Sequence, residues 1–431
     1  MHPSTSRRRG GRARQALPLI AACIVALSLA ACSSTTKASS TTNPSTGSAV
    51  PSATVDVDQA TVDATIKKAF LGDVPASSLD PVVLKTLTIA SVPLTSEQQT
   101  LLNTCMTQRS CETGNEPGNL TLGINADFTN NPYWNIRRAE AIAQAIATPE
   151  IGKVIFTSAP DGNISQVLAN LKSLIAQRVD IIVEDPVFGA AVLPAAQQAV
   201  NAGIAFVTAN SPLPESATSA VTAQIPFPLC DAGTNAVKAI SGSIGNDKSY
   251  ALYTGVPGNA YQATWWPCAK AAIGAANSNE ALEGFTQWTA QGTAAAANAL
   301  IASGKHVDAL MSDDYIDLFI KPFIDEGKNP PVTFSNTAHY STFAMLKEAK
   351  DKGLSAESYA ANGHVWFVRM AVTAGVAAKL GQSVPKVIKV PVPVTSMADL
   401  TYLDEPGMPA NAPVPTLLTV QQAQAAISAN E

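Results

Sequence analysis

The sequence predicts an α/β protein made of two doubly wound, parallel-sheet lobes. Three observations carry that expectation. From Asn119 onward, short apolar runs alternate with stretches of helical spacing. The same alternation starts again after about residue 225, and the strands it yields are too many for one small sheet. Strands that alternate with helices form parallel sheets covered on both faces.

In the first half, Leu120–Ile124 reads as a strand and Tyr133–Ala147 as a helix. Val154–Phe156 is a second strand. Ile164, Val167, Leu168, Leu171, Leu174 and Ile175 share one helical face. Val179–Val183 is an almost wholly apolar strand; Ala190–Asn201 is a helix stopped at Gly203, a C-cap signal, and Ile204–Val207 is the fourth strand. In the second half, helices are expected at Val237–Ile244, Tyr261–Ala276, Ala294–Ala302, Ile316–Asp325, Phe343–Lys350 and Val365–Leu380. Strands are expected at Tyr250–Tyr253, Leu282–Phe285, Val307–Met311, Val332–Phe334, Ser358–Ala360 and, last, Val387–Val392. Residues 56–118 break the rhythm. Val62–Phe70 and Ser96–Met106 are candidate helices of a small N-terminal extension, and Gln421–Ser428 is a candidate final helix.

The start of the chain indicates export. Arg7, Arg8, Arg9, Arg12 and Arg14 precede the uncharged, mostly apolar run Leu17–Ala31, then Cys32. A basic head, a short apolar stretch and small residues make a secretory signal. The run falls short of the about 20 residues that span a bilayer. Leu29-Ala30-Ala31-Cys32 resembles a bacterial lipobox, which implies cleavage before Cys32 and a diacylglyceryl group on its thiol. Residues 1–31 are then a lipoprotein signal peptide and 32–55 a tether rich in Ser and Thr, too polar to fold. A net charge of −5 with no basic block after the signal argues against nucleic acid as a partner. Cys105, Cys111, Cys230 and Cys268 remain, an even number in an exported chain, and so read as two disulfides. Of three possible pairings, proximity favours Cys105–Cys111, which leaves Cys230–Cys268. The cysteine spacings and the scattered histidines fit no metal site, and no cofactor motif occurs.

Several segments, in order, resemble sugar-binding proteins of the ribose-binding, type I periplasmic family that serve ABC importers. They are Gly123–Trp134, Gln166–Ile182, Asp185-Pro186, Ala195–Val207, the glycine turn Tyr253–Gly258, and Asp308–Tyr315. The likeness spans about residues 119–395. It implies two lobes facing each other across a ligand cleft, joined by a three-segment hinge near 225, 361 and 393. Lobe 1 is then 119–224 with 362–391, and lobe 2 is 225–361 with 392–431. The ligand is expected at the strand carboxyl ends, where open α/β sheets form crevices. The expected partners are a small sugar or polyol, an ABC permease, and the membrane through the lipid; the expected state is a monomer.

Carried over residue by residue, the resemblance assigns Asp127, Asn131, Tyr133 and Trp134 to the ligand in lobe 1. Asn210-Ser211 stands where the family has Asp-Arg, and Trp265, flanked by Trp266, where it often has an arginine. Trp288 replaces a stacking Phe, Asp313 and Asp314 form a polar pair at a strand end, and Ser335-Asn336 replaces an Asp. Polar groups among these would pair with ligand hydroxyls and aromatic rings would face its C–H surfaces. The missing arginines leave room for a less polar glycoside or a cation. Asp185 is a further candidate for the cleft, and Arg137 and Arg138 read as solvated helix residues. No nucleophile elbow, zinc motif or phosphate loop is present. Asp313 and Asp314, adjacent at a strand end, make a poor glycosidase pair, so catalysis is not expected. Presenting ligand to a membrane sensor is the alternative to import.

Overall fold

The structure, a computed structural model, describes residues 57–429 except 130, 247 and 275–280. The signal, the tether and Cys32 lie outside the described residues, as does the expected end of one helix at Ala276.

The N-terminal extension comprises α1 (Gln59–Phe70), α2 (Pro81–Ala90), α3 (Ser96–Thr107) and β1 (Ser110–Glu112). Each helix starts on a side-chain cap: Asp58, Asp80 and Thr95, the last in a full capping box. The first lobe follows with β2 (Leu120–Ala126), α4 (Pro132–Ile146), β3 (Ile151–Ser158), α5 (Ile164–Ala176), β4 (Ile181–Glu184), α6 (Leu193–Asn201), β5 (Ala205–Asn210) and β6 (Ala223–Pro226). Its sheet has the order β1-β3-β2-β4-β5-β6, with only β1 antiparallel. The extension therefore donates an edge strand to the lobe instead of merely packing on it.

The second lobe holds α7 (Leu229–Ile244), β7 (Tyr250–Thr254), α8 (Ala260–Ile273), β8 (Leu282–Phe285), α9 (Ala290–Ala302), β9 (Ala309–Ser312), α10 (Ile316–Asp325), β10 (Val332–Ser335), β11 (Ala338–His339), α11 (Ser341–Asp351) and β12 (Ser358–Ala361). The chain then returns to lobe 1 for α12 (Phe367–Lys379), crosses back for β13 (Val394–Ser396) and β14 (Pro413–Val414), and ends in α13 (Val420–Ser428). The second sheet runs β13-β12-β10-β9-β7-β8, again parallel but for the edge strand β13. Both sheets show the switch in strand order that opens a crevice at the carboxyl ends.

Strand residues alternate between two cores, as a two-residue period requires. Ile181 and Val183 face α4 and α12, and Ile182 faces α5 and α6. In lobe 2, Tyr250 and Leu252 face α7 and α8, and Ala251 and Leu310 face α9 and α10. Gly375 on α12 permits that helix to lie close on the sheet; a Cβ there would meet Ile181 Cγ2 at 2.4 Å.

Several readings from the sequence are corrected. Residues 387–392 form no strand; Val387 makes one parallel bridge to Gln224, and Pro385, Pro391 and Pro393 around it cannot donate to a ladder. The segment 392–431 does not stay in lobe 2. β14 pairs with β11, but α13 packs on α3 and α4 of lobe 1, and Glu140 on α4 accepts from Leu417 N at 2.7 Å. Arg137 and Arg138 are buried, not solvated. Arg138 donates to the Cys105 and Gln108 carbonyls (2.9 and 2.7 Å) and covers the Phe156 ring, fastening the extension to lobe 1. The disulfides pair Cys105 with Cys111 and Cys230 with Cys268.

Candidate ligand-binding site

The carboxyl ends of the two sheets face one another across a cavity with about 430 Å3 of unoccupied space, part of it open to solvent. Phe128 follows β2, Asp185 and Val187 follow β4, and Asn210 ends β5. Trp288 follows β8, Asp313 and Asp314 follow β9, Thr337 follows β10, and His364 follows β12. Tyr133, Trp134 and Tyr261 come from the first turns of α4 and α8.

Asn131 shows how local structure sets the site. Its Oδ1 accepts from Trp134 N at 3.1 Å and so caps α4, with Pro132 at the first helical position. Its Nδ2 reaches across to the Trp288 carbonyl at 3.3 Å. Asn210, Trp288 and Tyr315 all have φ between 50° and 84°, so side chains stand where glycine is the usual occupant. Such strained positions gather at binding sites. Gly255 makes room for Trp288: a Cβ on it would lie 1.9 Å from the ring.

The lobes meet through a polar chain. Asn210 Nδ2 donates to Asp185 Oδ2 (2.8 Å) and Tyr133 Oη (3.1 Å), while its Oδ1 accepts from the Tyr261 hydroxyl of the other lobe. Asp185 also accepts from Ser211 N at 3.0 Å and lies 3.7 Å from Arg137 Nε. His364 sits at the crossing between lobes, 2.9 Å from Tyr133 Oη, 3.1 Å from Tyr261 Oη and 3.1 Å from Thr337 Oγ1. Burial, with the Arg137 charge nearby, pulls its pKa down to about 3, so the imidazole is neutral.

In lobe 2, Asp313 accepts from Thr254, from Trp288 Nε1 (3.3 Å) and from Asn336 Nδ2 (3.3 Å). Burial pushes its carboxyl up to about 7, against these hydrogen bonds. His339 behind it is different. Burial lowers its pKa, but Asp314 at 3.0 Å and Asp317 at 3.8 Å outweigh burial and hold it at about 10, a buried cation. In lobe 1, burial raises Asp127 to about 7 and Glu184 beside it well above the carboxylate range.

The structure thus brings Asn131, Tyr133, Trp134, Asn210, Trp288, Asp313 and Asp314 onto one cavity. Asp127 lies behind the lobe 1 wall, and Asn336 acts through Asp313. Trp265 is misplaced by the sequence reading. It is fully buried on α8, its ring 6.2 Å from that of Trp266, and does not line the cavity. Phe128, Tyr261, Thr337 and His364 were not anticipated. Among the described residues no cluster of His, Cys, Asp and Glu could hold a metal, and no helix is long and apolar enough to cross a membrane.

Comparison with known proteins agrees with this geometry. No curated sequence matches the chain. Solved structures of similar fold include an ABC transporter solute-binding protein from Thermobispora bispora (TM-score 0.58, 21% identity, 71% of this chain and 94% of that one). Another, from Bacillus halodurans with bound myo-inositol, has a TM-score of 0.56 and 17% identity over 67% of this chain and 98% of its own. A third, from Actinobacillus succinogenes with bound D-allose, has a TM-score of 0.55 and 17% identity over 66% and 99%. At these identities the likeness establishes the fold. The family model described as a periplasmic binding protein domain matches residues 122–375, more than half of the sequence, and the chain therefore belongs to the periplasmic binding proteins.

Proposed function

We propose that this protein is an extracytoplasmic solute-binding protein that captures a small sugar or polyol-like molecule and delivers it to an ABC importer. The observation that carries the reading is the cavity at the facing carboxyl ends of the two sheets, walled by Trp134, Tyr133, Tyr261 and Trp288 and furnished with hydrogen-bonding groups from both lobes. Aromatic faces suit the C–H surface of a sugar ring, and Asn131, Asn210, Asp185, Asp314 and Thr337 suit its hydroxyls. The similar structures with bound myo-inositol and D-allose support the same ligand class. The sequence Leu29–Cys32 supports attachment to the outer face of a membrane by lipid at Cys32, and a monomer suffices, because both walls of the cavity come from one chain.

The test is thermal melting of the purified protein against a panel of sugars and polyols. A ligand at 100 times its Kd adds about 2.7 kcal/mol of stability. A rise in Tm with one member, lost in Trp134→Ala, is the expected result. No rise with any member refutes the reading.

A further inference from the structure

The charges around the cavity do not balance. Among the described residues its ionisable lining is Asp185, Asp313, Asp314, the neutral His364 and two tyrosines, with no lysine or arginine. Arg137 stands behind Asp185 in lobe 1. In lobe 2, among the described residues, Asp313, Asp314 and Asp317 share one cation, His339, which contacts the latter two. Among the described residues Asp313 is reached by neutral donors alone: Thr254, Trp288 and Asn336. Among the described residues no hydrogen bond reaches the second oxygen of Asp314, whose side chain is 8% exposed at the cavity wall. Buried carboxylates are costly unless a cation or a full set of donors meets them. A neutral sugar brings only hydroxyls. An ammonium group brings the missing charge.

The walls point the same way. Phe128 packs 5.9 Å from both Trp134 and Trp288, so rings from the two lobes enclose the space next to Asp313. Trp288 Nε1 is bonded to Asp313, which fixes the indole beside the carboxylate. Rings around a carboxylate form a cage for a cation, while Asn131, Asn210 and Thr337, each already in one or more hydrogen bonds, keep spare capacity for hydroxyls.

We propose that the physiological ligand is a compact polyhydroxylated amine, an amino sugar or aminocyclitol by class, with its ammonium at Asp313 and Asp314 against Trp288. This rests on the solute-capture reading above. The test is calorimetric titration of the purified full chain at pH 7 with matched pairs: D-glucosamine against D-glucose, and D-galactosamine against D-galactose, with neutral N-acetyl-D-glucosamine as control. At least one amine should bind with a Kd tenfold or more below its neutral partner. Asp313→Asn, whose fold is checked by circular dichroism, should erase that preference, and Asp314→Asn should reduce it. Equal or tighter binding of the neutral partners overturns the charge assignment and leaves solute capture standing. Binding of neutral polyols but of no amine does the same. Absence of binding by any sugar, polyol or amine overturns both.

Discussion

Asp313 is a carboxyl buried against its charge. Its carboxyl rises from 3.8 to about 7, burial outweighing its hydrogen bonds. The folded protein therefore holds this proton over a range where the unfolded chain has released it, and the group's contribution to stability falls as pH rises from about 4 to about 7. His364 has the opposite sign. Lowered to about 3, it adds stability above pH 6.5 that is lost as pH falls through about 3. The two effects overlap, so variants separate them. Relative to wild type, Asp313→Asn should gain Tm at pH 8 over its value at pH 5, whereas His364→Gln should show a deficit that shrinks toward low pH; a pH series of melting curves on both checks this. Gly255 offers a second test. Gly255→Ala puts a methyl carbon inside the Trp288 ring position, and the indole must leave. Ligand affinity should fall tenfold or more in titration, with Tm reduced by only a few degrees, because Trp288 is a wall of the cavity and not the centre of a core. Residue identity was legible in part. Asn131, Tyr133, Trp134, Asn210 and the Asp313-Asp314 pair lie at or just after strand ends, where the fold itself directs side chains to the cleft. Trp265 lies one helical turn, about 5.4 Å, deeper in α8 than Tyr261, and that turn separates core from cavity. An aromatic in the first turn of a helix after a strand end was the signal available for Tyr261. Nothing local marks His364; its neighbours come from four separated segments.

At the scale of elements, periodicity served best where one face is buried and the segment is long. α5 begins at Ile164, where the apolar positions predict it. Short elements with polar edges escaped notice. β1 is three residues with only Cys111 turned inward, and β6 carries Gln224 in its middle. α2 follows Asp80-Pro81, a cap and first-turn proline, but its apolar residues do not keep to one face clearly enough to stand out. α7 and α8 make the most intimate helix pair. Gly233 on α7 faces the Trp265 carbonyl, which would lie 3.1 Å from a Cβ there, and Cys230–Cys268 bolts the pair at a Cα separation of 5.2 Å. The bond closes a loop across 38 residues. Chain entropy alone assigns such a closure roughly 4 kcal/mol. The double variant Cys230→Ala/Cys268→Ala should lower unfolding free energy by about that amount in denaturant titration, with the m-value increased because the unfolded chain is no longer constrained. An unchanged midpoint would mean that the packing of α7 on α8 carries the stability by itself.

For the whole molecule, the described arrangement is a closed one. The lobes touch through Tyr261 to Asn210, through Asn131 Nδ2 to the Trp288 carbonyl, and through Ala260 N to the Val187 carbonyl at 3.4 Å. The chain passes between the lobes at Phe227, His364 and 388–393, and the C-terminal chain adds a fourth passage on its way to α13. Two-lobed architecture was legible because alternation of strand and helix is a property of long stretches; the return of the tail to lobe 1 was not, because it depends on contacts between Glu140 and residues about 276 positions away. Contacts made only when the lobes meet act on the closed fraction, and apparent affinity scales with that fraction. Tyr261→Phe removes the hydroxyl that joins Asn210 and His364 while keeping the ring. One net hydrogen bond is worth about 0.5–1.5 kcal/mol, so Kd should rise roughly 2- to 12-fold. Small-angle scattering distinguishes the cause. If the hydroxyl holds the lobes together, the variant without ligand has a larger radius of gyration than wild type, and saturating ligand brings both to the same compact value. If the hydroxyl serves only the ligand, affinity falls while the two ligand-free proteins scatter alike, and closure must then be assigned to Asn131 and the backbone contact at Val187.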